Sequence, residues 1–200
     1  MKSIIDPQKI KCIAIGASAG GLAAIDFLLQ NLPPKLDQII VIVQHISESQ
    51  NDSYIDYLQR KCSYKVKFAE DKMKIESGVI NIAPPNFHLL MENRDSFALN
   101  IDERVNFSRP SIDVFLESAS GIFRSELMAI ILTGANNDGA EGAKLIRENN
   151  GMVIVQDPDE ALYRMMPEAV IFMGGADYIM NLKEISGVFN NLNNGEIDEK

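Results

Sequence analysis

Short apolar runs alternate along the chain with longer segments whose apolar residues recur at helical spacing. The apolar runs predict buried strands at residues 12–15, 39–44, 66–69, 127–132 and 152–156. The periodic segments predict helices at residues 22–31, 54–61, 112–121, 139–148 and 167–172. Strands alternating with helices predict an α/β fold with a doubly wound, mostly parallel sheet flanked by helices, similar to the Rossmann architecture.

The middle of the chain has a different pattern. Residues 79–83, 87–92 and 97–101 are short apolar runs separated by the turn-forming segments PPN (84–86) and NRD (93–95). This spacing predicts antiparallel hairpins inserted into the α/β core. We therefore expect one domain over residues 12–190, an N-terminal extension over residues 1–11 and a polar tail over residues 191–200.

Composition narrows the choice of partners. The 200 residues are 46% hydrophobic and 24% charged, as is typical of globular proteins, and their net charge is −9. An anionic chain without a basic stripe is not expected to bind nucleic acid or an anionic membrane surface. No apolar run is long enough to span a bilayer, and the N-terminus lacks the apolar core of a secretory signal. These features predict a cytoplasmic protein that does not insert into a membrane.

Histidine and cysteine are scarce. The chain has two histidines and two cysteines, which are far apart in sequence, so no zinc site of ordinary spacing is expected. We predict no metal and no cofactor.

Candidate chemistry begins at a glycine-rich turn, GASAGG at residues 16–21. The turn follows the first predicted strand and precedes the first predicted helix, which would place Ser18 at a sharp bend beside the first helical N–H groups. A serine nucleophile next to an oxyanion site is presented in this way. A serine that only caps the helix or forms the turn is the alternative.

Two further polar residues are expected at the same sheet edge. His45 ends the second strand, which a right-handed crossover would place beside the first, and Asp138 follows the strand at 127–132. Individually, His45 reads as a structural residue and Asp138 as a helix cap. Together, the three residues predict an acyl-transfer triad in which His45 accepts the proton of Ser18 and Asp138 orients the imidazole. Asp157, at another strand end, is a less favoured third member.

Two common motifs fit poorly. Residues 16–20 match the nucleophile elbow of α/β-hydrolases, but those enzymes carry the acid before the histidine, whereas the order here is Ser, His, Asp. In a dinucleotide fingerprint Ser18 would replace the second glycine, and the second strand ends in Gln44-His45 and not in an acid. The order of the residues disfavours the α/β-hydrolase fold, and the two mismatches to the dinucleotide fingerprint disfavour a nicotinamide cofactor.

The chain resembles the catalytic domain of the chemotaxis protein-glutamate methylesterases, the CheB family. The similarity extends from about residue 13 to about residue 182 and follows the order of the family's motifs. The matching segments are IGASAGG (15–21), VQH (43–45), APPNFH (83–88), SRPSID (108–113), LTG…DGA (132–140), QDP (156–158) and MP (166–167) with Tyr163.

The resemblance implies hydrolysis of glutamate γ-methyl esters on the cytoplasmic helices of chemoreceptors, together with deamidation of receptor glutamines. By motif position, Ser18 is the nucleophile, His45 the general base and Asp138 the third member of the triad. The backbone N–H groups of Ala19 and Ala135 are the expected oxyanion donors. Arg109 and Tyr163 are weaker candidates for substrate binding. Arg109 could instead pair with any acid of this chain, and the Met pair that follows Tyr163 is more often part of a core.

The chain also departs from the family pattern. In the loop that carries Asp138 (residues 132–140, the acid loop), Ala135 and Asn136 replace the family's usual Met-Gly. Ala19 replaces a threonine that is frequent in the nucleophile loop. We therefore expect a slower reaction that is not abolished. Only about eleven residues precede the first strand, which leaves no room for the receiver domain that many members carry. The sequence therefore suggests an excised domain or a stand-alone esterase controlled by a separate response regulator or another regulator.

Two other functions remain open at this point. The altered acid loop would also fit a catalytically impaired chemosensory scaffold that binds receptors without turnover. The glycine turn alone would fit a nucleotide-binding domain.

Overall fold

The computed structural model describes residues 9–46 and 51–194, which form an α/β protein with two sheets. The strands are β1 (Cys12–Ala17), β2 (Ile39–Gln44), β3 (Lys65–Phe68), β4 (Val79–Ile82), β5 (His88–Met91), β6 (Phe97–Asn100), β7 (Leu127–Ile131), β8 (Met152–Gln156) and β9 (Tyr178–Met180). The α-helices are α1 (Gly21–Gln30), α2 (Asn51–Gln59), α3 (Ile112–Phe123), α4 (Ala140–Glu148), α5 (Met165–Phe172) and α6 (Leu182–Asn194), and a 3₁₀ turn spans Arg124–Glu126.

The main sheet has seven parallel strands in the order β3-β4-β2-β1-β7-β8-β9. Its central strands β1, β7 and β8 are buried along their whole length. Strands covered on both faces need apolar side chains on both faces, which explains their continuous apolar sequences. The predicted doubly wound parallel sheet is confirmed.

Alternate residues of β1 pack into two core layers. Ile13 and Ile15 contact the layer that contains side chains of α1, α2 and α6. Cys12 and Ala14 contact the layer formed with α3, α4, α5 and the small sheet. The period of two along the strand therefore assigns helices to both faces.

The hairpin prediction is correct for two of its three runs. Strands β5 and β6 pair antiparallel as a separate two-stranded sheet. The run at 79–83 is not part of a hairpin, because β4 lies in the main sheet and pairs parallel with both β2 and β3. The turn residues after it were a local signal, whereas its partners lie about 40 residues earlier and 14 residues earlier in the chain.

Two elements were not predicted. β9 forms one edge of the main sheet, and α6 packs on the sheet through Ile185, Val188, Phe189 and Leu192. Helix α6 continues to Asn194, so the first residues of the predicted tail are helical. Residues 195–200 of that tail and residues 1–8 of the predicted extension lie outside the described residues, and the domain division stays a prediction.

Within the described parts of the chain, no helix has the length and apolar character needed to cross a bilayer.

Candidate active site

Three neighbouring strands of the main sheet deliver the candidate site residues to one edge. β1 lies between β2 and β7, with Ala17 paired to Gln44 and Gly16 paired to Ile131. Ser18 and His45 each follow directly on a strand end, and Asp138 lies in the loop after β7. The predicted adjacency of the first two strands is therefore confirmed, and the carboxyl ends of the three strands meet where open α/β sheets place their sites.

The turn at Ser18 is fixed by its backbone. The Ser18 N–H donates to the Thr133 carbonyl (3.0 Å), and the Gly21 N–H donates to the Ser18 carbonyl (2.9 Å). Gly20, at the N-cap of α1, has φ 75°, in the left-handed region that glycine adopts at little cost. A Cβ there would also lie 3.0 Å from the side chain of Leu162. Residue 20 thus needs glycine for both conformation and space.

His45 links the other two candidate residues. Its Nδ1 lies 3.0 Å from Ser18 Oγ, and its Nε2 lies 2.9 Å from Asp138 Oδ2. An ionised carboxylate can only accept hydrogen bonds, so the contact with Asp138 requires a proton on Nε2 of His45. In the neutral imidazole the lone pair is then on Nδ1, which faces Ser18. The arrangement can draw a proton from the Ser18 hydroxyl.

Asp138 is fully buried and surrounded by hydrogen-bond donors. Oδ2 accepts from the Ile112 N–H (2.7 Å) as well as from His45. Oδ1 accepts from Ser111 Oγ (2.7 Å), the Asp113 N–H (3.1 Å) and Asn106 Nδ2 (3.3 Å). Two of these donors are N–H groups of the first turn of α3, where the helix dipole favours a negative charge.

These contacts keep Asp138 ionised. Burial by itself raises the pKa of the carboxyl, but the hydrogen bonds from His45, the Ile112 N–H and Ser111 outweigh it, and the pKa lies below its ordinary value. The carboxylate can therefore hold the Nε2 proton of His45 and stabilise the imidazolium that forms when Nδ1 takes up a proton.

The neighbouring Asp113 behaves in the opposite way. Its carboxylate accepts from the Gly142 N–H (2.8 Å) and from Asn106 Nδ2 (2.9 Å). Burial raises its pKa to about 6; the Gly142 N–H opposes this shift and the charge of Asp138 adds to it. The folded protein therefore binds a proton at Asp113 at pH values where the unfolded chain has already released it.

This difference predicts a pH effect on stability. Between about pH 4 and 6 the folded state holds more protons at Asp113, so the free energy of unfolding falls as pH rises through this window. Asp113→Asn removes the titration while keeping an acceptor for Gly142. We expect the variant to gain on the order of 2 kcal/mol relative to the wild type between pH 4.5 and pH 7.5, measured by urea unfolding. Parallel stability curves for the two proteins would contradict this prediction.

Two more polar side chains approach His45 Nδ1. Ser108 Oγ lies 3.3 Å away and Asn136 Nδ2 lies 3.4 Å away. The Asn136 amide is oriented by its own oxygen, which accepts the Asp138 N–H (3.2 Å). Nδ1 can accept from one good donor at a time, so these groups compete with the Ser18 hydroxyl.

The predicted oxyanion donors are Ala19, which follows Ser18, and Ala135, two residues after Thr133, whose carbonyl accepts the Ser18 N–H. Thr133 Oγ1 donates to the Ala19 carbonyl (3.0 Å), and the Gly134 N–H donates to the Tyr163 carbonyl (3.0 Å). In the described residues, neither the Ala19 N–H nor the Ala135 N–H donates to another protein group. Both N–H groups are therefore available to a ligand, and their role as oxyanion donors stays a prediction.

The remaining predicted residues lie at the margins of the site. Tyr163 is held by its backbone, whose N–H donates to Thr133 Oγ1 (2.8 Å), and its side chain is about half exposed. Arg109 Nη1 donates to the carbonyls of Ile101 (2.8 Å) and Asp102 (2.9 Å), so this part of the guanidinium holds a loop. Asp157, the less favoured third member, is not the partner of His45. Its Oδ1 accepts the Asp159 N–H, whereas His45 Nε2 lies against Asp138. Substrate binding by Arg109 and Tyr163 stays a prediction.

Residues that support Asp138 were not identified from the sequence. Ser111 is the N-cap of α3, accepting from the Val114 N–H, and a serine just before a predicted helix start is a readable capping signal. His88 is buried, accepts the Ser111 N–H at Nδ1 (3.2 Å) and pairs through Nε2 with the Glu103 carbonyl (3.0 Å). His88 therefore helps to position Ser111, which in turn donates to Asp138.

No group of three or more His, Cys, Asp or Glu residues in residues 9–46 and 51–194 is arranged to hold a metal ion.

Known proteins with a similar sequence have been assigned to one family. The family model for CheB methylesterase matches residues 13–189. A protein of Leptospira interrogans, provisionally assigned as a protein-glutamate methylesterase/protein-glutamine glutaminase, is 44% identical over 190 residues, covering 95% of this chain and 98% of that protein. A protein-glutamate methylesterase/protein-glutamine glutaminase of Thermotoga maritima is 35% identical over 85% of this chain, which spans only 50% of that relative.

A solved structure extends the similarity to three dimensions. The crystal structure of the Thermotoga maritima CheB methylesterase catalytic domain matches with a TM-score of 0.85 and 34% identity, covering 90% of this chain and 98% of that one. The sequence match, the strand order and the shared fold lead to one assignment: the chain belongs to the CheB methylesterase family.

Proposed function

We propose that this chain is a serine hydrolase that removes methyl groups from glutamate γ-methyl esters of chemoreceptors and releases methanol. The observation that carries the proposal is the continuous hydrogen-bonded series from Ser18 through His45 to the buried Asp138, in a member of this family. The names of the relatives support the hydrolase and give no support to the impaired scaffold.

The first half of the reaction forms an acyl-enzyme. Ser18 Oγ attacks the γ-carbonyl carbon of the ester while His45 Nδ1 takes up the hydroxyl proton. The carbonyl oxygen becomes an oxyanion, to which the N–H groups of Ala19 and Ala135 donate. When the tetrahedral intermediate collapses, the C–OCH₃ bond breaks and His45 gives its proton to the departing methoxide. Methanol leaves, and the glutamate is esterified to Ser18.

The second half repeats the chemistry with water. His45 Nδ1 takes a proton from a water molecule, whose oxygen attacks the acyl carbon. Collapse of this second intermediate breaks the bond between the acyl carbon and Ser18 Oγ, and His45 returns its proton to Oγ. The glutamic acid that leaves then loses its own proton to water. Asp138 keeps its negative charge throughout and holds the imidazole through Nε2.

The same steps would deamidate a receptor glutamine. The γ-amide replaces the ester, and His45 then protonates the amide nitrogen as its C–N bond breaks, so that it leaves as ammonia. The double name of the relatives supports this second activity.

We place the reaction in the cytoplasm, on the cytoplasmic helices of methyl-accepting chemoreceptors. A separate response regulator or another regulator is the proposed source of control.

Methanol release tests the proposed function directly. The chain is incubated with receptor fragments methylated by a methyltransferase with a labelled methyl donor, and volatile label is counted over time. We expect label to be released with multiple turnovers. Binding of the methylated receptor without any release would favour the scaffold, and neither binding nor release would reject this receptor as substrate.

The Asn136 side chain is expected to slow the reaction. Its amide donates toward the Nδ1 lone pair that must accept the Ser18 proton, and it would face an N–H once Nδ1 is protonated. A neutral hydrogen bond contributes about 0.5–1.5 kcal/mol, so we expect Asn136→Ala to raise kcat about two- to tenfold.

The exposed neighbour Asn137 provides the control for this variant. Asn137→Ala changes the same loop at a residue with no side-chain hydrogen bond among the described residues, and its kcat should stay near that of the wild type. A lower kcat in Asn136→Ala alone would mean that the amide assists the reaction, for example as an oxyanion donor.

A further inference from the structure

The segment that carries Ser108 toward His45 is a tight turn with an unusual residue at its tip. Val105 and Ser108 form an antiparallel bridge, with N–H···O bonds of 3.2 Å and 2.9 Å in the two directions. The two residues between them, Asn106 and Phe107, have φ values of 50° and 63°. A two-residue turn with both central φ values positive is of the type I′ kind, in which Asn-Gly is strongly preferred.

Phe107 is unfavourable in this place by two separate criteria. A bulky L-residue with positive φ is strained, and glycine would adopt the same conformation freely. The side chain is also 95% exposed, so it gains no burial to offset the strain. A strained residue that contributes nothing to the packing of the fold points to a role in binding another molecule.

The turn is held rigidly against the candidate active site. Asn106 Nδ2 donates to Asp113 (2.9 Å) and to Asp138 (3.3 Å), and Ser108 Oγ lies 3.3 Å from His45 Nδ1. Phe107 lies between these two residues in the chain, so its backbone is fixed next to the residues that contact Asp138 and His45, and its ring is exposed there.

Exposed apolar side chains also lie beside the Ser18 turn. Leu162 is 74% exposed, and its side chain lies against Gly20 of the Ser18 turn. Met165, at the start of α5, is more than half exposed. Exposed apolar side chains thus lie both on the turn next to His45 and beside the Ser18 turn, in a chain of net charge −9, where charge alone would not attract an acidic helix.

We propose that Phe107 is a docking residue that packs on apolar side chains of the receptor helix within one turn of the methylated glutamate. The inference rests on the proposed function and names how that substrate is held. Residues three and four positions from the glutamate lie on the same helix face, about 5–6 Å away, within reach of a ring beside the site. Because the neighbouring Ser108 lies 3.3 Å from His45 Nδ1, a second copy of the chain bound at this turn would crowd the site, so the substrate is the occupant we assign.

The test compares three variants with the wild type in steady-state methanol release from methylated receptor. Phe107→Ala removes the ring and keeps the strained conformation, and Phe107→Gly removes both. Phe172→Ala is the matched control, because Phe172 is 91% exposed at the end of α5 and takes no part in the hydrogen bonds that join Ser18, His45 and Asp138.

Both Phe107 variants are expected to raise KM about tenfold with kcat within twofold, since burial of the ring against the receptor is lost. Phe107→Gly is also expected to raise Tm by about 2–4 °C, because glycine relieves the strain. A variant that is more stable and yet binds its substrate more weakly cannot be explained by damage to the fold. Phe172→Ala should keep the KM of the wild type.

Three results would overturn the inference. An unchanged KM in Phe107→Gly, with methanol released by the wild type, rejects it and leaves the proposed function intact. A change of mass in sedimentation on substituting Phe107 would place the ring between two copies of the chain. Absence of methanol release from the wild type would reject the proposed function and this inference with it.

Discussion

Ser18→Ala is expected to lower kcat for methanol release by a factor of about 10³–10⁶, with receptor binding retained. The substitution removes only the Oγ that lies 3.0 Å from His45 Nδ1, and alanine fits the partly exposed turn without new contacts. The backbone bonds that fix the turn, from the Ser18 N–H to Thr133 and from Gly21 to Ser18, do not involve the hydroxyl. The fold should therefore be unchanged.

Ser108→Ala is the matched control, because Ser108 Oγ approaches the same Nδ1 at 3.3 Å. Either hydroxyl is close enough to give its proton to His45, but only Ser18 is followed directly by Ala19, one of the predicted oxyanion donors. We expect Ser108→Ala to keep kcat within about tenfold of the wild type. A fluorophosphonate probe followed by peptide mass spectrometry should label Ser18. Label on Ser108, or full activity in Ser18→Ala, would reject the assigned nucleophile.

Asp138→Ala is expected to have the largest combined effect, on both activity and stability. The buried carboxylate accepts five hydrogen bonds, and without it the donors from Ser111, Asn106 and the start of α3 lose their acceptor. Breaking a buried charged network of this kind destabilises a protein by about 3–5 kcal/mol. The free energy of unfolding from urea titrations measures this loss.

Activity should fall as well, because His45 loses the acceptor that fixes Nδ1 as its basic nitrogen. Asp138→Asn separates the two effects: it keeps the volume but cannot carry the charge, and we expect kcat to fall by about 10³–10⁴ with a smaller loss of stability. Asp157→Asn is the control for a carboxylate at a neighbouring strand end and should change kcat by no more than a few-fold. A large loss in Asp157→Asn with an active Asp138→Asn would reverse the assignment.

The sequence predicted the positions of the candidate residues because they depend on strand ends. A buried strand that ends at Gln44 and a right-handed crossover from β1 suffice to place Ser18 next to His45. Asp138 was placed less directly, since nothing local in its sequence shows that β7 lies on the other side of β1.

What could not be predicted depends on contacts between distant segments. The donors around Asp138 come from residues 106–113 and become neighbours only when α3 packs on the sheet. Which imidazole nitrogen faces Ser18 is likewise set by the position of Asp138 in space. The misplaced β4 has the same origin, because its partners in the parallel sheet are not adjacent in sequence.

Helix α6 differs from these contacts between distant segments, because its own sequence contains the apolar pattern of a helix. Ile185, Val188, Phe189 and Leu192 recur at helical spacing and are all buried. The asparagine-rich surroundings concealed this stripe, because asparagine is a poor helix former in the interior of a helix.

The strand order also bears on how proteins of this fold can diverge. The three site residues follow β2, β1 and β7, which are adjacent and about 4.8 Å apart, while the outermost strands β3 and β9 contribute none of them. Insertions or deletions at those outer strands can reshape the outline of the molecule without moving Ser18, His45 or Asp138 relative to one another. The borders of the sheet are thus the places where new regulatory contacts can be added without disturbing the geometry of the candidate site.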